Sequence, residues 1–474
     1  MADINLGVGG ANSATGGYEI ANSLKFEDDN FEWIDSGTST STTSNKIGTI
    51  SFWFKRTELT GADQWIWSGA SSARYVGIRF DSNEKLKGYF SALGNGADFV
   101  STQVFRDTSA WYHIVLAIDT TNSTAGDRFK IYVNGERITD WDTTPAIDQN
   151  TAIEGFEASA RQAWAQYNAI YSDDAVQVSG YLAETYFING QQLAASSFGE
   201  FDSDTGIWIP KEYTGTFGDK GYYLKFDDSS SLGADSSGNG NNFTLNNITA
   251  ADQATDTPTN NFTTFNCIRR FNSDNLTVTD GGTVLVKNAT STWTTGFNTI
   301  AVNKGKWYWE GELYANEGYQ MFGQTPQPPT EVNINIDWYL GKTADKSAGA
   351  GYYGSGEDVY YEGSYANSSA STAGDIISVA MDCDNNKVHF AVNGVYTNSS
   401  DPANNTNGFA MTDEYQYFAM ATFLANTSYR ANFGGYTTIS ISSAASDANG
   451  YGTFEYAPPS GYYALCSKNL AEYG

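Results

Sequence analysis

Residues 374–394, GDIISVAMDCDNNKVHFAVNG, decide the fold class of the second half of the chain. Two stretches with the two-residue alternation of a β-strand flank a short polar run at 384–386. The segment closes on Asn393-Gly394, and Asn-Gly is the best two-residue hairpin former because both residues accept a positive φ. The segment therefore predicts an antiparallel hairpin that leads directly into another tight turn.

The same pattern extends over the whole chain. Short runs rich in Val, Ile, Thr, Tyr, Phe and Trp recur between clusters of Gly, Asn, Asp and Ser, while helical periodicity is scarce. Without helices to cover a sheet, the apolar face of one sheet must be buried against another sheet. The sequence therefore predicts an all-β fold with two antiparallel β-sandwiches. Strands are expected at 49–54, 111–119, 129–133, 307–313, 376–382 and 387–392.

Composition and charge exclude several classes of protein. With 40% apolar and 15% aromatic residues among 474, the chain has enough material for packed cores. Its net charge of −28 opposes any broad phosphate-facing surface, so nucleic acid is excluded as a partner. No apolar run approaches the roughly 20 residues of a membrane helix, and no secretory signal is visible, so we expect no membrane insertion. Three cysteines at no metal-ligand spacing are expected to be reduced, buried thiols.

Composition also predicts the domain organisation. Residues 1–20 are small and polar and are expected to be an N-terminal attachment segment. Residues 21–205 are expected to form the first sandwich and residues 262–474 the second. Residues 206–261 are expected to form a junction, because 228–261 is dense in Ser, Gly, Asn, Asp and Thr. A long surface loop within one domain is the alternative for that stretch.

Five pieces of the first half follow one another in the order of a known family. They are SLKFEDD from Ser23, TISFWFKR from Thr49, WYHIVLAIDTT from Trp111, RFKIYVNGERI from Arg128 and GYLAETYFINGQQL from Gly180. In this order and spacing the first half resembles a laminin G or concanavalin A-like jelly roll. The resemblance implies a lectin-like sandwich.

The second half and the junction carry two further resemblances. Three further segments of the second half belong with residues 374–394: GKWYWEGEL from Gly305, GYYGSGEDVYYEG from Gly351 and YFAMATFLANTSYRANFG from Tyr417. This set resembles the SPRY fold, a bent β-sandwich used mainly for binding. The stretch YYLKFDDSSSLGADSSGNGNNFTLNN from Tyr222 is similar to a segment of structural proteins of tailed bacteriophages, marine ones especially. That resemblance implies a virion protein.

Candidate catalytic groups are few. The two histidines, His113 and His389, lie in strands of different predicted domains, so packing is favoured over a catalytic triad. Glu310 and Glu312 lie two apart on one strand face, but the SPRY-like pattern carries water-facing acidic residues there. We therefore expect no enzymatic activity.

A metal site is left open. Laminin G-like domains often hold calcium through Asp side chains at a loop rim, and Asp227, Asp228 and Asp235 are the candidates here. The loop spacing of an EF-hand is not found, so no cofactor is the first expectation and calcium is the alternative.

Sugar binding needs exposed aromatic faces beside polar groups. Trp141 follows a predicted strand within DWDTT, while Trp164 and Tyr167 lie in RQAWAQYNAIYSDD. The spacing of Trp164, Tyr167 and Tyr171 fits a short amphipathic helix, so core packing competes equally with a ligand platform. Four tyrosines of the second half match strand positions of the SPRY-like pattern, which favours packing: Tyr352, Tyr353, Tyr360 and Tyr361.

Together these features predict a non-enzymatic virion protein, assembled in the host cytoplasm. A tail fibre or other exposed appendage is favoured, with host surface polysaccharide or other virion proteins as partners. The resemblance implies a homo-oligomer. The alternatives are a capsid decoration or head fibre without a receptor role, a secreted adhesin and a glycan-degrading enzyme.

Overall fold

The computed structural model describes residues 17–71, 75–90, 98–166, 177–271, 276–288, 291–313, 319–326, 338–343, 346–354, 358–366 and 371–474. The chain divides into two compact units, Met1–Thr259 and Asn260–Gly474. Within the described ranges, no helix is long and apolar enough to cross a membrane.

The first unit is built from strands joined by turns and short 3-10 helices. Its strands are Ser23–Phe26 (β1), Trp33–Ser36 (β2), Ile47–Arg56 (β3), Gln64–Ala70 (β4), Tyr75–Phe80 (β5), Lys85–Tyr89 (β6), Asp98–Val104 (β7), Trp111–Asp119 (β8), Phe129–Val133 (β9), Glu136–Arg137 (β10), Trp141–Thr143 (β11), Arg161–Trp164 (β12), Gly180–Asn189 (β13), Gly199–Phe201 (β14), Trp208–Pro210 (β15), Tyr222–Leu224 (β16), Phe243–Asn246 (β17) and Gln253–Ala254 (β18). The 3-10 helices span Ala125–Asp127, Glu154–Phe156, Ala195–Ser197 and Ala250–Asp252.

Two large antiparallel sheets make the first unit a sandwich. One has the order β10-β9-β8-β3-β13-β1-β18, with β16 also paired to β13, and the other has the order β11-β7-β6-β5-β4-β12-β2-β17. Side chains of both sheets, such as Ile50 and Phe52 from one and Ile66 and Ile78 from the other, form one buried cluster. The alternation of the strands explains this arrangement, since every second side chain points to the same face.

The second unit is a similar sandwich. Its strands are Phe265–Phe271 (β19), Leu276–Thr279 (β20), Val284–Lys287 (β21), Thr294–Asn298 (β22), Lys306–Glu312 (β23), Gln320–Thr325 (β24), Ala350–Tyr353 (β25), Asp358–Tyr361 (β26), Ser364–Ala366 (β27), Ile376–Asp382 (β28), Lys387–Val392 (β29), Val395–Tyr396 (β30), Phe409–Ala410 (β31), Tyr417–Thr422 (β32), Thr427–Asn432 (β33) and Tyr463–Ala464 (β34). A short helix, Ser467–Tyr473 (α1), and 3-10 helices at Lys346–Ala348 and Thr397–Ser399 complete it.

Its two sheets have the orders β19-β22-β32-β24-β25-β26-β27 and β20-β21-β33-β23-β28-β29-β30. Trp309 of β23 packs against Phe322 and Phe418 of the facing sheet, with ring centroids 6.2 and 5.7 Å apart. The predicted hairpin of residues 374–394 is β28 and β29 in antiparallel register. The prediction of an all-β fold with antiparallel sheets is confirmed.

Within the stretch 206–261, expected as a junction, residues 206–259 belong to the first unit and carry strands of its sheets. β16 pairs with β13, β17 pairs with β2 and β18 pairs with β1. The Ser, Gly and Asn residues between these strands form turns rather than a linker. Short strands and turn residues alternate too closely there for composition to separate a linker from turns.

All three cysteines are buried free thiols. Residues 1–16 of the predicted attachment segment lie outside the described residues. Ile20, at the end of that segment, is buried, and its backbone N–H and C=O both bond the hydroxyl of Thr259, at 3.1 Å each.

Candidate functional site

The aromatic residues predicted to bind sugar lie in different environments. Trp141 is half-buried on the edge strand β11, with one side of its ring against Phe99. Trp164 is fully buried, packs on Phe52 and donates its indole N–H to the Tyr222 hydroxyl at 3.2 Å. Trp164 therefore has no ring face open to a sugar. Arg161–Trp164 form strand β12, and residues 167–176, over which the short helix was expected to continue, lie outside the described residues. Tyr167 lies outside the described residues.

The three aspartates predicted as calcium ligands differ in exposure and in hydrogen-bond partners. Asp227 and Asp228 are exposed, and Asp228 accepts the backbone N–H and hydroxyl of Ser230 in a local turn. Asp235 accepts the backbone N–H groups of Tyr223, Ser237 and Asn241 at 2.8–2.9 Å. These bonds use the carboxylate of Asp235 to hold its loop.

A different set of carboxylates does converge in the first unit. One oxygen each from Glu27, Asp28 and Glu58 lies within 4.8 Å of the others. The Ser179 hydroxyl lies 2.9–3.3 Å from all three groups, although its single proton serves one of them at a time. Carboxylate oxygens are the ligands that calcium takes, so this cluster could hold a divalent cation.

A serine and a histidine are in contact in the first unit, but not in a catalytic arrangement. His113 Nδ1 accepts the indole N–H of Trp208 at 2.9 Å, and His113 Nε2 lies 2.9 Å from Ser51 Oγ. Burial lowers the pKa of His113 to about 3, so the ring is neutral and carries its proton on Nε2. His113 therefore donates to Ser51 and cannot act as its general base.

The glutamates weighed as a hydrolytic pair have structural partners. The buried carboxylate of Glu310 accepts the Tyr308 hydroxyl at 2.8 Å and the backbone N–H groups of Tyr456 and Glu455 at 2.8 and 2.9 Å. Glu312 accepts from Arg430 at 3.0 Å. Burial raises the pKa of Glu310, and its bonds fix the backbone at 455–456.

The second unit carries an outward-facing group of aromatic side chains. Tyr353, Asp358 and Tyr360 share one face of β25 and β26, because Tyr353 pairs directly with Asp358 and Tyr360 follows two residues later. Tyr360 in turn pairs with Tyr365 of β27, and Tyr319 precedes β24. We call these five residues the tyrosine face.

The rings of the tyrosine face are in contact and partly open to solvent. Ring centroids are 4.8 Å apart for Tyr360 and Tyr365, 6.1 Å for Tyr353 and Tyr365, and 6.4 Å for Tyr319 and Tyr353. Tyr365 is 59% exposed and Tyr319 is 38% exposed. A group of neighbouring rings that are partly or mostly exposed is a surface on which flat C–H faces of sugars can stack.

Further aromatic side chains support the tyrosine face from one side. Trp293 packs on Tyr353 at 6.1 Å, and Phe423 packs on Tyr319 at 5.4 Å. Trp293 is 9% exposed and belongs to a buried cluster with Met321 and Leu340. The exposed rings are therefore held on a packed base rather than on free loops.

The tyrosine face also offers polar groups. Burial raises the pKa of Tyr365, and Tyr360 and the carboxylate of Asp358 add to this increase. Asp358, whose pKa is itself raised by burial, keeps one oxygen on the Val359 N–H at 2.9 Å. A carboxylate beside an exposed ring can accept sugar hydroxyls while the ring stacks on the sugar.

The sequence drew attention to four tyrosines of this region but favoured packing for all of them. Of these four, Tyr353 and Tyr360 lie on the tyrosine face, whereas Tyr352 is fully buried and Tyr361 contacts Phe409. Tyr319 and Tyr365 were missed. The period of two along β25 to β27 was the signal for Tyr365, since it marks which tyrosines share a face.

Comparisons with known proteins agree with the fold of the first unit. Residues 28–173, less than half of the chain, match the sequence model of the Concanavalin A-like lectin/glucanases superfamily. This match confirms the concanavalin A-like resemblance of the first half. No curated protein sequence matches the chain.

Several solved structures resemble parts of the chain. The SPRY domain of human HERC1 is 17% identical, covers 35% of this chain and 94% of that one, and gives a TM-score of 0.27. A heptameric SAP-like pentraxin from Limulus polyphemus is 13% identical over 38% of this chain and 80% of that one, with a TM-score of 0.29. A putative carbohydrate binding protein from Bacteroides ovatus is 16% identical over 48% of this chain and 59% of that one, with a TM-score of 0.32. At these values the solved structures carry no argument about partners or activity.

Proposed function

We propose that the protein is a non-enzymatic virion component of a tailed bacteriophage, a tail fibre or other exposed appendage that binds polysaccharide of the host surface. The phage assignment rests on the similarity of the stretch from Tyr222 to phage structural proteins. The binding role is supported by the lectin-like family match of residues 28–173. Copies of the chain in one particle would strengthen weak contacts by raising the effective concentration of sites.

The tyrosine face is the single observation that carries the binding role. Aromatic rings offer a ligand a large apolar contact area and lose little conformational entropy when the ligand binds. A contiguous group of them exposed to water is unfavourable unless a ligand covers it. Asp358 supplies the acceptor that a purely apolar patch would lack. A polyhydroxylated chain matches this mixture of rings and acceptor.

The absence of enzymatic activity in this proposal is supported by the hydrogen bonds that the candidate catalytic groups already make within the protein. His113 faces Ser51 with a proton rather than a lone pair, and Glu310 is committed to backbone N–H groups. Neither arrangement leaves a general base free to act on a bound sugar.

A glycan array probed with the full chain tests this function. We expect binding to polysaccharides or long oligosaccharides, with no reducing ends released when the bound glycan is incubated with the protein. Binding to no glycan would contradict the proposed role, and release of reducing ends would show a hydrolase. Labelled electron microscopy of the particle then separates a tail position from a head position.

A further inference from the structure

The first unit contains a small polar cavity remote in sequence from the tyrosine face. It has a volume of about 100 Å³ and lies where β2, β12, β16 and the loop before β17 meet. Ser36, Gln162, Lys220, Tyr222 and Asn242 are among the residues that line it. This space is sufficient for a small polar group such as a carboxylate or a sulfate.

Lys220 is the charged residue of this cavity. It is only 4% exposed, and its ammonium donates to the Ala160 carbonyl at 2.6 Å. Within the described part of the chain it forms no ion pair, so two of its three N–H donors are left for another acceptor. Burial without a counterion lowers the pKa of Lys220 to about 8.

The other buried lysines of the first unit are neutralised by the protein itself. Lys25 pairs with Glu32 at 2.9 Å and with Asp252 at 3.0 Å. Lys55 pairs with Asp256 at 2.6 Å. A buried ammonium is costly unless it is paired. Lys220 differs from these two lysines in having no carboxylate partner among the described residues, and it lines a cavity that could admit one.

The rest of the cavity wall suits an oxyanion as well. The side-chain carbonyl of Asn242 is used by the Asp235 N–H at 2.9 Å, which leaves the Asn242 amide N–H groups as donors. The Tyr222 hydroxyl donates to Gln162 at 2.9 Å and thereby fixes the polar wall. No carboxylate is among the residues lining the cavity.

We propose that this cavity is a binding site for one small oxyanion group, a carboxylate or a sulfate, held by Lys220 and Asn242. The net charge of −28 opposes the approach of any anion, so an anion bound here must be held by local contacts such as those of Lys220. The oxyanion could be free in solution or carried by an acidic saccharide. The site is separate from the tyrosine face, and its ligand would be recognised by charge rather than by stacking.

Isothermal titration of the full chain with sodium sulfate, sodium D-glucuronate and D-glucose, at an ionic strength fixed with sodium chloride, tests this proposal. We expect one or both anions to bind and glucose not to bind at this site. Lys220→Met should weaken anion binding at least tenfold, because it removes a charge-assisted bond while retaining side-chain volume. Binding of glucuronate alone points to an acidic sugar, and binding of sulfate alone points to an inorganic or ester sulfate.

Two further variants keep the test decisive. Asn242→Asp retains the oxygen used by Asp235 but adds a negative charge to the wall, so it should also weaken anion binding about tenfold. Lys287→Met is the matched control, because Lys287 is likewise buried without a carboxylate partner in the described structure but does not line this cavity, so anion binding should be unchanged. The proposal is overturned if neither anion binds, or if Lys220→Met and Asn242→Asp bind anions as tightly as the unchanged protein.

Discussion

Each unit has a cluster of tyrosines on the outer face of a sheet, and the two clusters differ in what their side chains contact. In the first unit, Tyr186 and Tyr223 are stacked at 4.3 Å and buried, and both donate to the carboxylate of Glu184. In the second unit, Tyr365 and Tyr319 are exposed, and the carboxylate nearby belongs to β26, the strand next to the edge strand β27.

The backbone explains why the first cluster is closed. Glu184 has a φ of +46°, and the register between β13 and β3 shifts there, so a bulge turns the carboxylate toward the tyrosines. The segment with Phe198 and Phe217 then covers this face. Tyrosines therefore have a structural role where a buried carboxylate accepts their hydroxyls, and they are available to a ligand where their rings are exposed to solvent.

The largest expected effect concerns pH. His113 packs beside the closed cluster through Trp208, and its pKa is about 3 when folded against about 6.5 when unfolded. The unfolded chain therefore binds a proton that the folded chain refuses, so this contribution to stability is complete above pH 6.5 and is lost as the pH falls toward 3. The advantage of the unchanged protein over His113→Gln should shrink by roughly 3 kcal/mol between pH 7 and pH 4.

Urea unfolding of both proteins at the two pH values measures this difference. Other titrating groups cancel because they are present in both proteins. An advantage of equal size at pH 7 and pH 4 would contradict the neutral, buried histidine.

The next effect concerns the carboxylate of the closed cluster. Glu184→Leu leaves the hydroxyls of Tyr18, Tyr186 and Tyr223 without their shared acceptor and should lower the free energy of unfolding by about 3 kcal/mol. Glu312→Leu, which removes a partly exposed ion pair with Arg430, is the control and should cost less than about 1 kcal/mol. Equal losses in the two variants would mean that Glu184 does not organise the cluster.

Removing single hydroxyls compares the two clusters directly. Tyr223→Phe should cost about 1 kcal/mol, since the buried carboxylate loses a donor at 2.7 Å. Tyr360→Phe should cost nearly nothing, because its hydroxyl donates to the Gly363 carbonyl on an exposed surface. Thermal denaturation measures both, and a larger loss in Tyr360→Phe would reverse the assignment of closed and open clusters.

A small effect on stability is also expected at Tyr365, the most exposed ring of the tyrosine face. Tyr365→Ala should change the free energy of unfolding by less than about 0.5 kcal/mol, because the side chain is mostly in water. A loss of several kcal/mol in the same denaturation experiment would indicate that Tyr365 supports the fold rather than a ligand.

Much of the fold could be predicted from the sequence, because alternation and Asn-Gly turns are local signals. The hairpin β28–β29 and the strand β8 are where the pattern places them. Local signals could not assign residues 206–259 to the first unit, since the pairing of β16 with β13 joins residues far apart in sequence.

The candidate site was harder to predict because exposure depends on tertiary packing. Trp164 and Tyr365 both lie in polar stretches of sequence, yet one is fully buried and the other is 59% exposed. The partner of Trp164, Tyr222, comes from a distant strand and could not be inferred from neighbouring residues. The calcium candidates and the virion assignment remain predictions.

The central claim is that the open tyrosine face binds glycan, and calorimetric titration of Tyr365→Ala with a polysaccharide selected by the glycan array tests it most directly. Tyr415→Ala is the matched control, because Tyr415 is 58% exposed in the same unit but is not part of the tyrosine face. If the tyrosine face binds glycan, we expect at least tenfold weaker binding for Tyr365→Ala and unchanged binding for Tyr415→Ala. Unchanged binding in Tyr365→Ala would contradict it.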